Sequence, residues 1–170
     1  MKDQIIQTDR KPTKPFEPTE ALKAAIEHEI HHYEDSRAAS IEALKMVQKH
    51  HGWVPDEAIS YIANILKISA ADVEGVATFY SQIFRQEVGR HIIRVCDSMV
   101  CYMGGHEAVL EAITKKIDAG LGETSTDNRY TLLPVCCLGN CDKAPAMMID
   151  DDTYGNLTPE TVGEILEAYK

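Results

Sequence analysis

All five cysteines of this 170-residue chain sit in two short loops, and each loop follows a run that reads as a β-strand. His91–Val95 (HIIRV) leads into Cys96, and Cys101 follows at C-x4-C. An apolar run ending LLPV leads into Cys136 and Cys137, and Cys141 follows the turn residue Gly139. Thiols confined to two strand ends demand a scaffold that presents those ends together. The N-terminal stretch MKDQIIQTDRKPTKPFEP has no apolar signal core, so the thiols are not expected to form the disulfides of an exported domain. C-x-x-C is absent, which argues against a thioredoxin-type redox pair and against the usual zinc knuckle.

The C-terminal half supplies such a scaffold. HIIRV is the first strand, and Gly104-Gly105 opens a helix with Val109, Leu110, Ile113 and Ile117 on one side. Tyr130–Val135 is the second strand. Ala146–Ile149 and Tyr154–Leu157 read as a hairpin around the acidic turn DDDT. Thr158-Pro159-Glu160 starts a last helix, with Val162, Ile165, Leu166 and Tyr169 as its apolar side. The order is β-α-β-β-β-α. A β-α-β crossover makes its two strands parallel, so their C-terminal ends share one edge. Both thiol loops then arrive at that edge.

Thiolates bound in twos to each of two irons are the ligand set of a [2Fe–2S] cluster. The first loop supplies the pair Cys96/Cys101. The second offers Cys136/Cys141 or Cys137/Cys141, and spacing leaves both open. A spare Cys136 is expected as a buried small hydrophobe. Sulfides and thiolates outweigh two ferric ions in charge, so backbone N–H groups should point at the sulfurs. Gly104, Gly105 and Gly139 are the candidate donors. No Gly-x-Gly-x-x-Gly and no Walker loop is present, so nicotinamide and flavin sites are expected on another chain.

The N-terminal half reads as helices. Residues 1–18, with three prolines and alternating charge, are expected as a flexible arm. Thr19 caps a helix carrying Leu22, Ile26, Ile30 and Tyr33. Ser36 caps a second, with Ala38, Ile41, Leu44 and Val47 inward and Gly52 ending it. Asp56 caps a third, with Ile59, Ile62, Ala63 and Leu66 inward. Ser69-x-x-Asp72 opens a fourth through Val73, Val76 and Ala77. Thr78–Phe84 is extended or briefly helical.

Two motifs invite other functions. His28-Glu29-Ile30-His31-His32 spells H-E-x-x-H, which in a zinc hydrolase pairs two ligands with a general base. Here the pair points away from the Ile26/Ile30 stripe. No third histidine follows at the required spacing, which leaves a distant Glu such as Glu57 as the candidate ligand, so surface histidines are expected. The third and fourth helices, joined by LKISAA, resemble a helix-turn-helix, the basis for a zinc-binding regulatory module. The would-be recognition helix ADVEGVATFY has two acids and no Lys, Arg, Asn or Gln to meet phosphates or base edges. The formal net charge of −10 also disfavours nucleic acid and anionic lipid, and suits an electron carrier facing a basic partner. No apolar run is long enough to span a membrane.

Three stretches carry a family resemblance: HHYEDSRAASIEALKMVQKHHGWVP, VEGVATFYSQIFRQEVGRHIIRVCDSMVC and LLPVCCLGNCDKAPAMMIDDDTYGNLTPE. From about Glu20 to the C-terminus the chain resembles the E subunits of bacterial NADH:quinone oxidoreductase (respiratory complex I), thioredoxin-like [2Fe–2S] ferredoxins. The resemblance implies an α+β protein, with a helical bundle over 19–85 followed by a thioredoxin-like domain over 86–170 with a mixed four-stranded sheet. It implies Cys96 and Cys101 on one iron, Cys137 and Cys141 on the other, Cys136 unligated and no metal on His28/His32. It implies a flavoprotein partner that binds FMN and NADH, further peripheral-arm subunits, and a place on the cytoplasmic side of the bacterial inner membrane without insertion. The cluster would exchange single electrons with the flavin, to one side of the main wire towards quinone. Related subunits serve NAD-linked hydrogenases and formate dehydrogenases, which is the alternative setting. The first loop reads Cys-Asp-Ser-Met-Val-Cys, where many relatives carry threonines and a proline.

Overall fold

The computed structural model describes residues 14–169, which divide into two compact units between Glu87 and Val88. Of the arm expected over 1–18, residues 1–13 lie outside the described residues. Phe16 packs edge-on against His51 and Tyr61, with ring centroids 5.6 Å away in each case.

The first unit is helical. Helix α1 (Glu20–Ile30) starts where Thr19 Oγ1 accepts from the Leu22 N–H, and it buries Leu22 and Ile26. Helix α2 (Ser40–His51) starts later than expected. Asp35 instead caps a 3-10 turn over Ser36–Ala39, accepting from the Arg37 N–H at 2.9 Å. That turn shifts the helical phase, so Ala39 is buried and Ala38, expected inward, is exposed. Gly52 ends α2 at φ +101. Helix α3 (Asp56–Leu66) is preceded by Pro55 at the cap position, so Asp56, expected as the cap, is the first helical residue. Ile59, Ile62, Ala63 and Leu66 face inward as expected. Helix α4 (Ala70–Phe79) is capped by Ser69, which accepts from the Asp72 N–H at 3.1 Å.

Only Thr78 and Phe79 of the Thr78–Phe84 stretch are helical. The remainder is irregular and is held by side chains. Gln48 accepts from the Phe84 N–H at 2.7 Å and donates to the Gln82 carbonyl at 2.9 Å. Arg85 donates to the Val54 carbonyl, to Glu74 at 2.8 Å and to Asp56 at 2.7 Å.

The second unit holds β1 (His91–Cys96), α5 (Met99–Met103), α6 (His106–Ile117), β2 (Tyr130–Val135), β3 (Met147–Ile149), β4 (Asp152–Tyr154) and α7 (Pro159–Ala168). The sheet order is β2-β1-β3-β4, with β1 and β2 parallel and the other neighbours antiparallel. In β1, alternation places Ile93 and Val95 in a core with Val109, Ile113 and Ile117 of α6 and Val162 and Leu166 of α7. Helix α7 begins with the full reciprocal cap of Thr158 and Thr161 and with Pro159 in its first turn. The hairpin differs from expectation. Asp150 adopts φ +52, so the chain reverses within two residues and Asp152 already pairs with Ile149. Its second strand therefore ends at Tyr154, and Leu157 joins the core instead. Among the described residues no helix is long and apolar enough to cross a membrane.

Ile113 is fully buried in this core. Ile113→Ala should cost about 2–5 kcal/mol, read as a lower urea midpoint of the second unit's unfolding at unchanged helix content in buffer.

Candidate metal centre

The sheet brings three chain ends to one rim. In the parallel pair Cys96 lies opposite Val135, so both strands finish at the same level. Strand β3 runs antiparallel to β1, so its beginning lies at that rim as well. The Cys96 N–H donates to the Ala146 carbonyl at 3.1 Å, and the Asp97 N–H donates to the Val135 carbonyl at 3.1 Å. Cys96, Cys101 and Ala146 form a small buried cluster of their own, against which Leu138 and Ala144 pack.

A five-residue helix in the first thiol loop, α5, turns Cys101 inward. The two buried thiols of this loop are hydrogen-bonded to each other. Burial alone would raise the Cys96 thiol. The amide N–H groups of Ser98 and Leu138, with the Cys101 and Ser98 side chains, outweigh it and draw the Cys96 thiol below its ordinary value. The Cys101 thiol goes the other way. Burial and the neighbouring Cys96 push it up to about 11, against the opposing Ala146 amide. The Leu138 contact matters most for the architecture, because it joins a residue of the second loop to a sulfur of the first.

In the second loop the Cys137 and Cys141 sulfurs lie 3.2 Å apart, and both residues are exposed. Gly139 makes the turn between them at φ +80, where a side chain would be strained, and its N–H points at Cys137 Sγ at 3.4 Å. The Cys141 thiol is raised, first by its hydrogen bond to Cys137, and the Cys96 charge adds to the effect from across the rim. The four thiols thus come as one buried pair and one exposed pair. Among the described residues no three His, Cys, Asp or Glu side chains gather as a single ion requires. Two sulfurs for each of two irons, with amides facing the sulfurs, is the arrangement that a [2Fe–2S] core uses, and the donor set fits it.

Several expectations need correction. Cys136, expected as a buried small hydrophobe if unligated, is exposed. Strand β2 ends at Val135, and Cys136 stands beyond the packed layers. Of the three glycines expected to offer amides, only Gly139 does so. The Gly104 and Gly105 N–H groups close the end of α5 on the Val100, Cys101 and Tyr102 carbonyls. His106, for which the sequence pattern raised no expectation, is buried and its Nδ1 bonds the Cys96 carbonyl at 2.9 Å. His28 and His32 share a face with ring centroids 5.1 Å apart, both exposed, and His32 Nδ1 bonds Glu29 at 3.3 Å.

A sequence profile of the thioredoxin-like [2Fe–2S] ferredoxins matches residues 26–170. The chain belongs to this family. Among curated relatives, the NADH-quinone oxidoreductase E chain of Pseudomonas aeruginosa is 67% identical over 165 residues, 97% of this chain and 96% of that protein. The protein of the same name from Escherichia coli is 63% identical over 158 residues, 93% and 95% of the two chains. Among solved structures, the NAD+-reducing [NiFe]-hydrogenase in the H2-reduced state shares the fold with a TM-score of 0.66 at 19% identity. The match covers 76% of this chain and 22% of that one. The α+β fold of this ferredoxin, with its mixed four-stranded sheet, is therefore the family's thioredoxin-like fold with a helical unit before it.

The second thiol loop rests on a tight contact. A Cβ added at Gly155 would stand 2.6 Å from Lys143 Cβ, 2.7 Å from the Lys143 carbonyl oxygen and 2.8 Å from Asn140 Nδ2. Gly155→Ala should displace the Asn140–Lys143 segment, which contains Cys141, at a cost of about 1–3 kcal/mol. The expected result is faster loss of visible absorbance to an iron chelator than in wild type, with an unchanged far-UV circular dichroism spectrum.

Proposed function

We propose that this chain is the one-electron [2Fe–2S] subunit of the NADH dehydrogenase module of respiratory complex I, with Cys96 and Cys101 on one iron and Cys137 and Cys141 on the other. The observation that carries the reading is the meeting of two thiol pairs at one sheet rim, tied by the Leu138 amide on Cys96. The names of relatives 67% and 63% identical over nearly their whole lengths support complex I over the hydrogenase or formate dehydrogenase setting. The hydrogenase likeness, at 19% identity, speaks for the fold alone.

A [2Fe–2S] core bound here would take up and return one electron at a time. The residues around it set how readily. The amides of Ser98, Leu138, Gly139 and Ala146 face the sulfurs and offset their negative charge, which favours the reduced state. The buried Cys96/Cys101 pair keeps water from one side and works in the opposite direction. His106 holds the Cys96 carbonyl and so the direction in which β1 leaves the sheet. Because hydride chemistry needs a two-electron group, the partner is a flavoprotein subunit that binds FMN and NADH, beside other peripheral-arm subunits on the cytoplasmic side of the membrane. The helical region 19–80 serves as one docking and bracing element for the partner, and the domain over 86–170 carries the electron.

The purified protein should be reddish-brown and give a rhombic or axial EPR signal on reduction. Colourless protein with one bound zinc would refute the reading. Cys137→Ser should lose or strongly perturb the signal, and Cys136→Ser should keep it; the reverse would overturn the ligand assignment.

A further inference from the structure

The helix that turns Cys101 into the site turns a different set of side chains outward. Met99 is 72% exposed, Tyr102 55% and Met103 81%, with Val100 beside them at 48%. Four large apolar side chains on a five-residue helix are far more than scattered surface hydrophobics, and they border the proposed cluster. Methionine is the adaptable side chain of protein-binding surfaces. The charged side chains in and beside the two thiol loops are mostly acidic, with Lys143 the exposed base next to Asp142. No Lys or Arg occurs between Arg94 and Lys115 or between Arg129 and Lys143, so both thiol loops lack basic residues. Asp97, Glu107 and Asp142 are exposed there, and Glu107 accepts from the Tyr102 hydroxyl at 3.1 Å. A bound core with thiolate ligands would add further negative charge to the same face.

We propose that the outer face of α5, Met99, Val100, Tyr102 and Met103 with the rim acids Asp97, Glu107 and Asp142, is the surface that seats the electron-exchanging partner. The partner presents an apolar recess edged by lysine and arginine. This rests on the reading of the chain as a flavoprotein's one-electron neighbour, and it names the patch by which the two meet. Charge complementarity selects the occupant: a second copy of this chain would bring acids against acids, whereas a basic-edged partner is drawn in and oriented. Cys101 lies on the inner face of the same helix, so contact on the outer face brings the partner's surface within about one helix diameter of Cys101.

The test uses the full-length protein with its cluster and the FMN-binding subunit of the same complex. Two readouts are taken, the dissociation constant and the loss of the cluster's visible absorbance on adding NADH. Met99→Glu/Met103→Glu places charge on side chains that face solvent, so absorbance and EPR should match wild type. Association should weaken more than about tenfold, and reduction by NADH should slow in step. Glu107→Lys provides a second reading that does not rely on the methionines: it should slow association and flatten its dependence on salt. Leu121→Glu, at an exposed residue between α6 and β2, should leave both readouts unchanged. The proposal is overturned if the methionine variant binds as tightly as wild type, if Leu121→Glu weakens binding equally, or if the methionine variant alters only self-association. Failure of the wild-type protein itself to bind the flavoprotein would overturn the functional reading as well. The two failures are therefore distinguishable.

Discussion

Negative sulfur has to be held close to negative sulfur, and backbone amides are what make that tolerable. Four thiols at one rim repel one another once ionised, and the protein has no Lys or Arg between the cysteines of either loop to relieve this. Relief comes from N–H groups: Ser98 and Leu138 on Cys96, Ala146 on Cys101 and Gly139 on Cys137. Each of those amides lies outside the strands, so no sheet ladder claims its N–H. The sheet is small, and its value lies in stopping β1 and β2 at the same level while β3 begins there.

The same constraint explains why residues without reactive side chains matter at this site. Gly139 supplies a left-handed turn that lets two residues of one loop bring their sulfurs to 3.2 Å. Gly155 lets the hairpin pass under Asn140 and Lys143 with no room for a methyl group. His106 fixes a carbonyl and takes no place among the sulfurs. The inner face of α5 carries a buried thiol of the rim and its outer face meets solvent, so five residues hold a thiol and an apolar surface together.

Much of this was legible in the residues. Tyr130–Val135 is a strand with the limits its apolar run indicates, and the β-α-β pattern led to the parallel pair. The grouping of the cysteines pointed to the sheet rim at which both thiol loops are found. What stayed hidden has physical causes. Helix α5 is too short to show a period. Amide donors are invisible because every residue except proline has one. The 3-10 turn at Ser36–Ala39 moved the buried face by one residue, since Asp35 competed successfully for the role of cap. Asp150 in a left-handed conformation shortened the hairpin, a choice that aspartate tolerates and its letter does not announce. Cys136 came out exposed because its strand ended one residue sooner than burial would require.

The parallel register has a consequence for how such a protein comes apart. Neither thiol pair belongs to a local turn that could survive alone as a complete ligand set, because the two loops reach one rim only while β1 lies beside β2. Occupancy by iron and integrity of the sheet are then thermodynamically one quantity, each ligated state drawing the folded population up with it. A chain of this design carries its own gauge: its tint fades at the denaturant concentration where its strands part.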